Sequence, residues 1–155
     1  MNYAAANGHL DMVGWLCTNR SEGCTALAMD LAASNGHFAM VKWLRQNRKE
    51  GCTASATDSA SSMMITKWLH ETRTEGRTTG AMDHAALKGD FEKLLFWHQH
   101  RHEGCTAKAA HSAAAYGHAE ILQWLLTHFH GKFDIEKMHI LANLQQDVLI
   151  VLNSM

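Results

Sequence analysis

Proline is absent from this 155-residue chain. Nothing therefore fixes φ or removes a backbone donor inside a helix, and the stiff proline-rich linker that often parts two domains is missing too. A basic excess is also missing: fourteen Lys and Arg stand against fifteen Asp and Glu, a formal net charge of −1. With so little net positive charge to meet a phosphate backbone, no nucleic-acid partner is expected. No apolar run approaches the roughly 18–20 residues that cross a bilayer. The opening segment, MNYAAANGHLDMV, lacks a charged stretch followed by an apolar one, so it does not read as a secretory signal. A cytosolic or nuclear address and no membrane contact are the expectations. The four cysteines include no C-x-x-C pair. No nucleophile elbow, P-loop, zinc-protease helix or dinucleotide glycine pattern occurs, so no catalytic residue, cofactor or metal is expected.

What the chain does contain is repetition. Gly-Cys-Thr occurs at Gly23, Gly51 and Gly104, and in altered form at Gly76-Arg77-Thr78. A tryptophan column reads Trp15, Trp43, Trp68, Trp97 and Trp124. Gly-His occurs at Gly8-His9, Gly36-His37 and Gly117-His118, with Gly89-Asp90 in its place once. Alanine doublets precede these pairs, as at Ala32-Ala33 and Ala113-Ala114. Five units cover residues 1–133.

Each unit reads as two short helices. The first is rich in small residues, as in Ala28 to Ser34, which lets neighbouring helices approach closely. Asn35-Gly36 ends it, because glycine accepts the positive φ found just past a helix C-terminus. The second runs from about Phe38 to Asn47. At 100° per residue Met40, Val41, Trp43 and Leu44 share one side, with Lys42, Arg45 and Gln46 opposite. Neither helix can bury its apolar face alone, but stacked copies bury all of them.

The stretches LAASNGHFAMVKWL and HSAAAYGHAEILQWLL resemble the ankyrin repeat. The family pattern T-P-L-H-x-A-A-x-x-G-H-x-x-x-V-x-x-L-L falls on Leu27 to Ala33, then on Gly36-His37, Val41 and Trp43-Leu44. Asp30, Asp58 and Asp83 take the pattern's histidine position, which only His111 restores. The unit is about 28 residues, against about 33 in the standard repeat, and loops such as NRSEGCT are too brief for the β-hairpin fingers of that repeat. The style is similar to short ankyrin-type repeats abundant in oomycetes and some other protists. A tetratricopeptide array would need a unit of about 34 residues with a recurring proline.

The resemblance implies an all-α fold, a helical-hairpin solenoid of about five repeats without long fingers. Residues 1–133 would form the array and 134–155 a capping helix or helix pair. It also implies a non-catalytic module that binds another protein through the face formed by the first helices and the loops between repeats. Specificity then belongs where the copies differ. Those positions are Leu27, Ser55 and Lys108 near the helix starts, with Gly80 in the same column. One turn on come Leu31, Ser59, His84 and Ser112, with Leu87 and Tyr116 nearby. The alternative is a piece of a longer array with a structural role only, or a non-functional remnant. It is suggested by the match of Met1 to Ala5 with Met29 to Ala33, which starts the chain inside a first helix. The expected state is a monomer, with association possible through Val148 to Leu152.

Several residue groups carry chemistry that the repeat also explains. His9, His37 and His118 are expected to be structural. The cluster WHQHRHEGC puts His98 and His102 one helical turn apart with Cys105 following, but a metal site needs at least three converging ligands. Cys24, Cys52 and Cys105 share a column and are expected to be small buried residues. Arg20, Arg48, Arg73 and Arg101, each followed by x-Glu, read as a solvated edge, where ion pairs contribute little. The third unit lacks Asn-Gly-His, so its turn is either rebuilt by Ser61-Ser62 or replaced by one bent helix.

Overall fold

The structure, a computed structural model, describes residues 1–21, 23–72, 78–129, 131–142 and 145–154. Among them the chain forms twelve α-helices and no strand. The helices pair in chain order: α1 (Asn2–Ala6) with α2 (Leu10–Asn19), α3 (Ala26–Ser34) with α4 (Phe38–Asn47), and α5 (Ala54–Asp58) with α6 (Met63–Thr72). The second set is α7 (Gly80–Lys88) with α8 (Phe91–His100), α9 (Ala107–Tyr116) with α10 (Ala119–His128), and α11 (Ile135–Ala142) with α12 (Gln146–Asn153). They form two compact units, Met1–Arg77 and Thr78–Met155. The fold class is all-α, built of helical hairpins.

Within each unit, first helices lie against first helices: α1 against α3 and α3 against α5, and likewise α7 against α9 and α9 against α11. The reason is alanine. Ala5, Ala28, Ala32, Ala33 and Ala56 are buried in the first unit, and Ala81, Ala85, Ala86, Ala109, Ala110, Ala113 and Ala114 in the second. Second helices contribute the larger core residues: Val13, Met40, Val41, Leu44, Ile65 and Leu69 in one unit, Leu94, Trp97, Leu122 and Leu125 in the other. Aromatic edges bridge successive second helices. Phe38 meets Trp68 at 5.9 Å between ring centroids, and Phe91 meets Trp124 at 6.3 Å.

Two contacts lock the copies together. The first explains the Gly-His pair. Gly8 has φ +72°, and a Cβ there would lie 2.6 Å from Nδ1 of His37. The histidine of one copy thus covers the glycine of the copy before it. Gln145 takes the same place over Gly117, and Ser61 over Gly36. The second explains the aspartates in the pattern's histidine position. The Asp30 carboxylate accepts from Thr53 N at 2.8 Å and from Thr53 Oγ1 at 2.7 Å. Asp83 accepts in the same way from Thr106, at 2.8 Å and 2.6 Å. Asn2 holds Thr25 by accepting from its N–H and donating to its hydroxyl.

The third copy keeps two helices. Its turn is rebuilt by serines: the backbone N–H of Ser61 donates to the Ala33 carbonyl at 3.1 Å, and Ser62 Oγ accepts from Ile65 N at 3.3 Å. Residues 135–153 make a further hairpin, with α11 against α9 and α12 against α10. Val148 and Leu152 are buried in it, while Ile150 is exposed.

Two sequence expectations are corrected. Trp97 does not share the tryptophan column. It stands one residue further from its glycine, Gly89, than Trp124 stands from Gly117. Phe96 therefore takes the column, and Trp97 enters the leucine position, 1% exposed. Arg101 is no solvated edge residue. It is buried, with its guanidinium 4.0 Å from the Trp97 ring centre, since that larger ring carries apolar surface out to the loop. Arg48 does pair with Glu50, whose carboxyl is held below its ordinary range by the Arg48 hydrogen bonds. Arg73, Glu75 and Glu22 lie outside the described residues.

Candidate functional site

In each unit the face in question is made by that unit's first helices and the described loops entering them. Among the described residues, the loops entering α3, α5 and α9 each turn on a glycine with positive φ: Gly23 at +66°, Gly51 at +67° and Gly104 at +70°. Threonine then starts the helix. Thr53 Oγ1 accepts from Ser55 N at 3.1 Å, and Thr106 Oγ1 from Lys108 N at 3.2 Å, satisfying amides that the helix itself leaves unpaired. The same hydroxyls donate to Asp30 and Asp83. One threonine therefore caps its own helix and ties the loop to the copy before.

That anchoring fixes where the expected binding residues point. In the first unit Leu27 and Ser55 are exposed, and Leu31 and Ser59 are half-buried. In the second, Lys108 and Tyr116 are exposed, while His84, Leu87 and Ser112 are half-buried. None is part of the core. Burial, with Lys88 and Lys93 adding to it, lowers the His84 pKa, so the ring favours its neutral form.

Sequence reasoning passed over two residues here. Tyr3 is 84% exposed and Ile140 is 79% exposed. Tyr3 precedes Ala4-Ala5 as Leu31 precedes Ala32-Ala33, so its register was visible. Ile140 was hidden, because no Gly-Cys-Thr or Gly-His marks the α11–α12 hairpin.

The comparison with protein families agrees with this copy-to-copy pattern. The model described as ankyrin repeats (many copies) matches residues 1–45 and 82–126. The chain belongs to the ankyrin repeat family. Ankyrin repeats are generally protein–protein interaction modules. A search of curated proteins finds no match to this chain.

The remaining chemistry is accounted for by packing in this ankyrin array. His98 sets its ring edge-on to Trp124 at 4.8 Å, and Cys105 is buried, its thiol pushed up to about 11 by burial. The described residues hold no group of three His, Cys, Asp or Glu side chains able to converge on a metal. All four cysteines are free. Cys52 and Cys105 are buried as expected, but Cys24 is only half-buried. Arg48, which passes close over Gly23, reaches Cys17 Sγ at 3.5 Å. No described helix is long and apolar enough to cross a membrane.

Proposed function

We propose that this ankyrin chain is a non-catalytic module that binds another protein through its first-helix face. The observation that carries the reading is the exposure of apolar side chains on the first helices of both units. Tyr3 and Leu31 share one column on adjacent helices, and Leu27, 49% exposed, lies one turn before Leu31. In the second unit Tyr116, 63% exposed, and Ile140 stand on the corresponding face. Aromatic and large aliphatic side chains held out on a rigid scaffold are what an interface anchors on, and extended repeat surfaces serve such contacts. Ser55, Ser59, His84, Leu87, Lys108 and Ser112 supply the variation from copy to copy that would distinguish partners.

The reading includes a monomer in the cytosol or nucleus, a setting that suits four free thiols. It includes neither nucleic acid nor membrane as partner. Residues 1–133 are read as the array and the α11–α12 hairpin as its cover on the fifth copy.

The test compares three forms of the full chain as bait: the native protein, a Leu31→Ser/His84→Ser/Tyr116→Ser variant, and a Lys67→Ser control on a second helix. Proteins retained by the native and control forms but lost from the triple variant support the reading, provided the variant keeps its helical signal. Equal retention by all three overturns it.

A further inference from the structure

The second unit also carries a groove on its other side, between second helices. The backbones of α8 and α10 stand farther apart than those of α7 and α9, because alanines allow close approach on one side and Phe91 and Trp124 hold the helices apart on the other. Two adjoining depressions result. One, of about 300 Å³, runs from Phe91 past Glu120 to Asp147. The other, of about 450 Å³, runs from Phe91 and Glu120 to Trp124 and His128. Phe91 and Glu120 line both. These volumes fall within the range of small ligand sites, about 300–1,000 Å³.

We propose that this groove takes a lysine or arginine side chain of a partner polypeptide, on a surface separate from the first-helix face. Charge complementarity chooses the occupant. Among the described lining residues, the carboxylates of Glu120 and Asp147 are the acidic groups, and no lysine or arginine is present. The aromatic part supplies apolar surface from Phe91 and Trp124 for the stem of a long basic side chain, one face of Trp124 being stacked already on His128 at 4.0 Å between ring centres. Glu120 and Asp147 both sit in the first turn of a helix, where the helix dipole already favours a carboxylate. That accounts for each alone. It does not account for their lining one depression together with Phe91. An acidic or neutral apolar side chain would gain the aromatic contact but not the charge.

The experiment titrates the full-length chain with three capped amino acids, N-acetyl methylamides of lysine, arginine and norleucine, and follows the assigned Trp124 indole and Phe91 ring signals by NMR. The lysine and arginine compounds shift both signals and saturate, while norleucine leaves them in place. Raising salt from about 0.05 to about 0.5 M weakens the lysine compound, as screening of exposed charges requires. A Glu120→Gln/Asp147→Asn variant binds it about five-fold more weakly, what two exposed charge pairs are worth, and its unchanged indole dispersion shows that it folds. Equal shifts from lysine and norleucine, insensitivity to salt, or no shift at Trp124 overturns the proposal. The Leu31→Ser and His84→Ser substitutions leave this titration unchanged, so the two surfaces fail or stand separately; Tyr116 is left native in this comparison because its ring stacks on His118, a lining residue.

Discussion

The imidazole of His118 lies so close over Gly89 that a Cβ at position 89 would be 2.6 Å from ring atom Cε1 and 2.8 Å from Nδ1. The two residues belong to successive copies, and the same relation joins Gly8 to His37. Two costs oppose a side chain at Gly89. Its φ of +70° is disfavoured for L-residues by about 1–2 kcal/mol, and overpacking against the ring adds about 1–3 kcal/mol. Gly89→Ala is therefore expected to lower unfolding free energy by about 2–5 kcal/mol. In a His118→Ala background the steric part disappears, and the same substitution costs only about 1–2 kcal/mol. Denaturant unfolding of the four proteins measures the coupling; equal costs in both backgrounds mean the ring does not press on the glycine.

The aspartate clamp makes a second prediction. Asp30→Ala removes both acceptors of Thr53 and is expected to cost about 1.5–3 kcal/mol, the range for hydrogen bonds to a charged group. Asp30→Asn should cost clearly less, because an amide can accept from the backbone N–H and donate to the hydroxyl. Asn2 already does this with Thr25, at 3.2 Å and 2.9 Å. Thermal unfolding ranks the two variants; equal losses would remove the clamp from the account.

Stability should depend on two histidines as the solution turns acid. His84 and His111 both have lowered pKa values, chiefly from burial, with lysines adding to the effect; Asp134 partly opposes it at His111. The unfolded chain then binds a proton more readily than the folded one. The stability each contributes is full above the unfolded value of about 6.5 and is lost as pH falls through the lower folded value. Unfolding midpoints of the native chain should drop in that window, and the drop should be smaller for His84→Gln/His111→Gln. An identical pH profile for the variant contradicts the burial of these rings.

The third copy should open before the second. Its first helix, α5, has five residues, against nine in α3, so it buries less and carries fewer backbone hydrogen bonds. In a nearest-neighbour stack the poorest interface yields first. Amide exchange in α5 should be faster than in the middle of α3. Equal protection would show that Ser61 and Ser62 restore the joint in full.

Much of this fold can be read from residues alone, and where it cannot the cause is specific. The second helix of copy two is legible end to end, because Met40, Val41 and Leu44 fall on one face at helical spacing. Trp97 misled because tryptophan identity is a louder signal than register, although counting from the glycine shows the shift. Arg101 misled in consequence, since its burial follows from the ring beneath it. The turn at Ser61-Ser62 could not be chosen over a bent helix, because the deciding hydrogen bond, donated by Ser61 N–H, is accepted by the Ala33 carbonyl in another copy. Of the proposed binding face, Leu27 and Tyr116 were visible as departures from the repeat. Ile140 was not, since its hairpin has none of the marks by which copies are aligned. The α8–α10 groove was invisible in sequence, because it depends on how far apart alanines and aromatics set the helices.

The most direct test of the stacked-copy account is a set of nuclear Overhauser contacts in the intact chain. The account predicts strong cross-peaks from the His118 ring protons to Gly89 Hα and from the His37 ring protons to Gly8 Hα, each joining one copy to the next. If those cross-peaks are absent, and the two rings instead contact residues of their own hairpins alone, successive copies do not interlock and the account is wrong.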